Sequence, residues 1–231
     1  MKRGIVLTTF ILLQSIVCWM SQAHAQASRA ATAASYLDRA AGLLSKGELD
    51  RAIADFDLAI ASDSTLAVTY YNRGSARSQK RDLEGALAEY DRAIQLDPRL
   101  AEAWANRGGI RYITGDLVGA IGDSSRAIEL KPRLALAWNN RGLARMENGN
   151  LSGAISDFDL SIKFDPKRAE TYYNRGTALY RLGDFDGSIA LFVERHFFTP
   201  AVQFVHTVSG AFDSVPTTSL IRNRCPSAVT A

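Results

Sequence analysis

Four Asn-Arg pairs stand at equal intervals: Asn72-Arg73, Asn106-Arg107, Asn140-Arg141 and Asn174-Arg175. An asparagine amide offers two donors and an acceptor, which match the main chain of an extended peptide. An arginine next to it offers a planar fork for a carboxylate. Carboxylates recur at the same interval as Asp55, Glu89, Asp123 and Asp157. The chemistry these residues suggest is recognition, not bond making. Catalytic chemistry is sparse. The histidines are His24, His196 and His206 and the cysteines are Cys18 and Cys225, none at metal-ligand spacing. There is no glycine-rich phosphate loop and no nucleophile set beside a base. The expectation is no enzyme, no metal and no cofactor.

Side chains that recur must be held by elements that recur. Blocks of 34 residues begin at Ala33, Ala67, Ala101, Ala135 and Ala169. Position 8 of a block is Ala40, Gly74, Gly108, Gly142 or Gly176, and position 20 is Ala52, Ala86, Ala120, Ala154 or Ser188. Small residues at both places let two antiparallel helices approach closely. Glycine at position 15 closes the first helix at Gly47, Gly115, Gly149 and Gly183, with Arg81 in its place in the second block. Proline ends the second helix at Pro98, Pro132, Pro166 and Pro200. Apolar residues such as Trp104, Leu117, Ile121 and Ile128 fall at helical spacing along one stripe.

This pattern resembles the tetratricopeptide repeat, a helix-turn-helix unit of this period. The resemblance implies an all-α fold, a right-handed solenoid of antiparallel helix pairs. The expected units are 33–66, 67–100, 101–134, 135–168 and a degenerate fifth over 169–200. One such pair cannot bury its own apolar face, so the pairs must stack.

Two departures from the family pattern stand out. Position 7, usually leucine, is Arg39, Arg73, Arg107, Arg141 and Arg175, and position 11 is Arg77, Arg111 and Arg145 in the middle blocks. Arginines four apart on a helix repel unless acids lie near. In an antiparallel pair, position 7 lies beside position 23. The expected structural ion pairs are therefore Arg39 with Asp55, Arg73 with Glu89, Arg107 with Asp123 and Arg141 with Asp157; the alternative is that the arginines anchor a ligand.

The resemblance also implies that the first helices line a concave face. There Asn72, Asn106, Asn140 and Asn174 would form a ladder for an extended peptide, with Tyr71, Tyr112, Tyr173 and Tyr180 as adaptable contacts. The ladder is similar to the one lining the repeat array of the O-linked N-acetylglucosaminyltransferases, although no transferase domain is present. The bland alternative is that the asparagines pack the helices. The carboxylate clamp of the chaperone-binding subset is absent, since Leu37 and Tyr71 replace its lysine, and Ala41 and Ser75 its asparagine.

The ends differ from the repeats. Lys2 and Arg3, the apolar run Ile5 to Met20 and then Ala23-His24-Ala25 resemble a bacterial secretory signal, residues 1–25, cleaved after Ala25. A retained anchor helix is the alternative. Residues 26–32 would be a linker. Cleavage would remove Lys2 and Arg3 and no acid, leaving a nearly neutral chain in the periplasm or outside the cell, with Cys225 unpaired. A net charge of +3 on the whole chain does not point to nucleic acid. The partner expected is a protein or peptide, with no membrane insertion after cleavage. Residues 201–231 lack the period, and the expectation is at most one weak covering helix followed by disorder. The function expected is a non-catalytic scaffold. The alternatives are a structural part of an envelope assembly that docks by its convex face or ends, or a fragment of a longer array.

Overall fold

The computed structural model describes residues 2–188. Expectations that fall on 189–231, including the second helix of the fifth unit beyond Ser188, the tail and Cys225, lie outside the described residues.

Helix α1 runs Lys2–Ser45, followed by α2 Leu49–Ser62, α3 Ala67–Gln79, α4 Leu83–Leu96, α5 Ala101–Ile113, α6 Leu117–Leu130, α7 Ala135–Glu147, α8 Leu151–Phe164 and α9 Ala169–Leu182. Helices α3, α5, α7 and α9 begin on the first residues of their blocks. Consecutive helices pair as α1 with α2, α3 with α4, α5 with α6 and α7 with α8, and the pairs stack. Helices α1, α3, α5, α7 and α9 also touch one another across repeats, whereas α2, α4, α6 and α8 do not. The first helices therefore form a close inner layer, and the second helices a splayed outer one. This is an all-α helical solenoid.

Each turn inside a repeat is built alike. Gly47, Gly115, Gly149 and Gly183 adopt positive φ, and Arg81 takes the same left-handed backbone at φ 66°. The amide three residues beyond the helix then reaches back, as in Asp116 N to Arg111 O at 2.8 Å and Asp82 N to Arg77 O at 3.0 Å. A side chain is strained in that conformation, so Arg81 is held there by the turn around it. The next residue caps the second helix. Asp82, Asp116, Asn150 and Asp184 accept from the amides of Gly85, Gly119, Gly153 and Gly187. A β-carbon at Gly85 or Gly119 would collide with the capping carboxylate, so the glycine makes the close cap possible.

The core follows from the small residues. Ala52, Ala86, Ala120 and Ala154 are fully buried. Phe56, Tyr90 and Phe158, all at position 24, each centre an apolar cluster that joins one repeat to the next, for example Phe158 with Met146, Ala154 and Ala178. A further aromatic residue locks each inter-repeat loop: Trp104 Nε1 donates to Pro98 O at 3.0 Å, Trp138 Nε1 to Pro132 O at 2.8 Å and the Tyr172 hydroxyl to Pro166 O at 3.2 Å.

Residues 26–32, expected as a linker, are helical and exposed within α1. The reason is local, because the alanine-rich stretch between Ser21 and Leu44 holds no proline and its first glycine is Gly42. Packing starts where the first block starts: the described side chains before Ala33 are exposed, and Ala33 is fully buried. Among the described residues no helix is long and apolar enough to cross a membrane.

Candidate functional site

The inner layer carries a groove of about 480 Å³ across α3, α5 and α7, lined among others by Ser75, Asn106, Ile110, Tyr112, Leu136 and Leu143. Its floor comes from residues one turn apart on parallel first helices. Its character is apolar with interspersed amides, and Glu170 contributes a carboxylate at one end. Ile113, at the rim, is 65% exposed.

The asparagine ladder is real as a stack, but its amides are engaged differently from expectation. Asn140 Nδ2 donates to Ala105 O at 3.0 Å, and Asn174 Nδ2 donates to Asn139 Oδ1 at 3.1 Å. Asn106 Nδ2 reaches the Tyr71 hydroxyl at 3.4 Å. Each bond runs from one first helix to position 5 of the preceding one. Asn140 and Asn174 are buried, and Asn72 and Asn106 are half-buried. The two later rungs thus serve as inter-repeat braces, in line with the packing alternative for those two residues. The physical reason is spacing, since a side chain on the flank of a closely stacked helix meets a neighbouring carbonyl before it meets solvent. Asn106 and Asn140 nevertheless both line the groove.

The tyrosines divide as well. Tyr71 packs its ring against Tyr90 at 6.1 Å, and burial pushes its hydroxyl pKa up. Tyr112 is half-buried in the groove wall. Tyr173 and Tyr180 are exposed on α9, with Tyr180 edge-on to Phe185 at 5.4 Å. The sequence reading missed Ile110, Ile113, Leu136, Leu143 and Glu170 as groove residues. Projecting positions 2, 9, 10 and 13 of each block onto one helix face would have found them.

The four ion pairs form as expected. Arg39 holds Asp55 through two contacts at 2.5 and 2.6 Å, Arg73 holds Glu89 at 2.8 Å, Arg107 holds Asp123 at 2.6 and 2.7 Å and Arg141 holds Asp157 at 2.8 and 3.0 Å. The acids are at most 7% exposed. Two further sets of contacts complete the network. The arginines at position 11 join the same acids, Arg111 to Asp123 at 3.0 Å and Arg145 to Asp157 at 2.9 Å. The position 7 arginines also reach back across the seam to position 25 of the preceding repeat, Arg73 to Asp57 at 2.5 Å, Arg107 to Asp91 at 2.6 Å and Arg175 to Asp159 at 2.5 Å. For Arg73 and Arg107 burial opposes the charged form, but the carboxylate hydrogen bonds outweigh it and raise both guanidinium pKa values. The period itself pointed to position 25, where Asp57, Asp91 and Asp159 recur.

The arrangement offers hydrogen-bonding and apolar surface and holds no group of three or more potential metal ligands among the described residues. The profile of the TPR repeat matches residues 76–115 and 142–183. The fold is similar to that of YrrB, described as a TPR protein with an unusual peptide-binding site, at 23% identity over 76% of this chain and 90% of that one, TM-score 0.60. It is also similar to PilF of Pseudomonas aeruginosa, at 19% identity over 71% and 75% of the two chains, TM-score 0.65. MamA of Desulfovibrio magneticus RS-1 is similar at 18% identity over 79% and 98%, TM-score 0.63. No curated protein matches the sequence.

Proposed function

We propose that this chain, whose sequence matches the tetratricopeptide-repeat profile over residues 76–115 and 142–183 and whose fold is similar to that of such proteins, is a scaffold for protein–protein interaction and binds an extended segment of a partner protein in the groove across α3, α5 and α7. The observation that carries this reading is the groove itself: Ile110, Tyr112, Leu136 and Leu143 offer apolar contact, and the half-buried Asn106 offers an amide. Neighbouring first helices stand about 10 Å apart. An extended peptide advances about 3.4 Å per residue, so every third residue would meet a new helix. The peptide-binding site described for YrrB, which shares the fold, supports the same class of ligand. The reading assigns the chain no catalytic step.

The test uses a partner captured by crosslinking in an envelope fraction. Replacing Tyr112 and Ile113 by alanine together should weaken its binding at least tenfold and leave the melting temperature within a few degrees, because both are at least partly exposed. Unchanged affinity in a folded double variant would end the groove reading. We also propose that residues 1–25 direct export and that the mature chain begins at Gln26 in the periplasm or outside the cell. N-terminal sequencing checks this, and a mature protein that keeps Met1 would contradict it.

A further inference from the structure

The position 7 and position 11 arginines are served unequally. In the second repeat Arg73 and Arg77 share three carboxylates, Asp57, Glu89 and Asp82. In the third repeat Arg107 and Arg111 share Asp91, Asp123 and Asp116. In the fourth repeat Arg141 and Arg145 have Asp157 and, among the described residues, no other acid within ion-pair distance. The two missing carboxylates are replaced by Ser125 and Asn150. Arg141 Nη1 points at Ser125, 3.2 Å from its hydroxyl oxygen, where Arg73 and Arg107 meet Asp57 and Asp91.

We propose that this seam between α6, α7 and α8 is an oxyanion site, for a carboxylate or a phosphate. The seam carries two guanidiniums against one carboxylate, a surplus of one positive charge that the sister seams do not have. Its replacements both retain donors. The Ser125 hydroxyl can donate to an incoming oxygen, and Asn150 spends its Oδ1 on the Gly153 amide, which leaves its NH2 group. Serine is shorter than aspartate, so the place of the missing carboxylate is vacated. That place is also open to solvent, since Asp57 and Asp91 are 56% and 49% exposed in the sister seams. An oxygen arriving there would meet Arg141 Nη1 as the Asp91 carboxylate meets Arg107 Nη1, at 2.6 Å. The site is separate from the groove, whose lining includes Asn140 and Leu143 but neither arginine.

The test compares melting of the full chain, Ser125→Asp and Gln95→Glu as sodium phosphate or sodium acetate is raised against sodium chloride at matched ionic strength. Ser125→Asp supplies the missing carboxylate from within, and Gln95→Glu adds the same charge at an exposed position on α4. At several times the dissociation constant, wild type and Gln95→Glu should gain about 2–4 °C in one or both salts. Ser125→Asp should start higher and gain a small fraction of that. The salt that stabilises tells which oxyanion the seam prefers. An equal gain in all three chains, or no gain in wild type with either salt, overturns the site.

Discussion

The third and fourth repeats share a backbone and differ in what fills it. In the fourth, the ring of Phe158 lies against Gly142, and Asp159 carries the ionic link to the next repeat. In the third, the same two positions are Ser124 and Ser125. Ser124 is fully buried, its hydroxyl has no hydrogen-bond partner, and no apolar cluster is centred on it. The helix pair forms nonetheless, with α5 and α6 of the same lengths as α7 and α8. The aromatic residue at position 24 is therefore not required for the local fold, which here buries Ile110 and Ile128 instead. With serines in both places, α5 and α6 lie closer to α7 than the equivalent helices lie at the other junctions, so the small side chains let the third repeat settle against the fourth.

The largest expected contrast is at the paired glycines. A β-carbon at Gly142 would meet three ring atoms of Phe158 at 2.6 to 3.0 Å, and that ring is fully buried. Gly142→Ala should cost about 2 kcal/mol by overpacking. At Gly108 the nearest atom is the Ser124 hydroxyl at 2.8 Å, which can rotate, followed by a backbone carbonyl at 3.2 Å. Gly108→Ala, helped by the better helix propensity of alanine, should stay within about 1 kcal/mol of wild type. Urea unfolding of the two variants checks this, and equal losses would mean that the third repeat is as tightly filled as the fourth.

A smaller effect is expected from Ser124→Ala. Removing a buried hydroxyl without a partner should stabilise the chain by about 1 kcal/mol. The same exchange at Ser161 removes bonds to Ala135 O at 2.9 Å and Thr171 Oγ1 at 3.4 Å and should destabilise it. A melting temperature that falls for Ser124→Ala as it does for Ser161→Ala would show that Ser124 is satisfied after all.

The smallest effect concerns acid. Where the other inter-repeat loops have Asp63, Asp97 and Asp165 bonding their own turns, the third repeat has Lys131 reaching back to Glu102 at 2.6 Å. The hydrogen bond from Lys131, against the opposing effect of burial, holds the Glu102 carboxyl below the ordinary glutamate value of 4.5. A depressed carboxylate stabilises the fold above that value, and the contribution is lost as pH falls through the lowered one. The pair is partly exposed and screened by solvent, so its share is small. Glu102→Gln should make the fall of melting temperature below about pH 4.5 slightly shallower, and an unchanged acid limb would remove the pair from the account.

Much of this comparison was legible in the letters. The period, the small residues at positions 8 and 20 and the prolines placed the helices, because they report backbone approach and chain breaks directly. The Arg107–Asp123 type of pair followed from antiparallel geometry within one repeat. What lies between repeats was harder to read. Whether the Asn140 amide faces a groove or the Ala105 carbonyl depends on how closely two first helices stack, and no single block contains that distance. Arg81 stands where the other blocks have glycine, yet it adopts the same turn conformation, and the Asp82 N to Arg77 O bond closes without glycine. The continuous α1 was hidden by a composition that reads as a signal followed by a spacer.

The central claim is that the close inner layer receives the partner and the splayed outer layer supports it. Photo-crosslinking residues placed singly at Ile113, on the groove rim of α5, and at Glu129, exposed on α6, compare the two layers within one repeat. The account predicts that in living cells the partner is captured from position 113 and not from position 129. Capture from 129 with none from 113 would contradict it and place the binding surface on the outer helices.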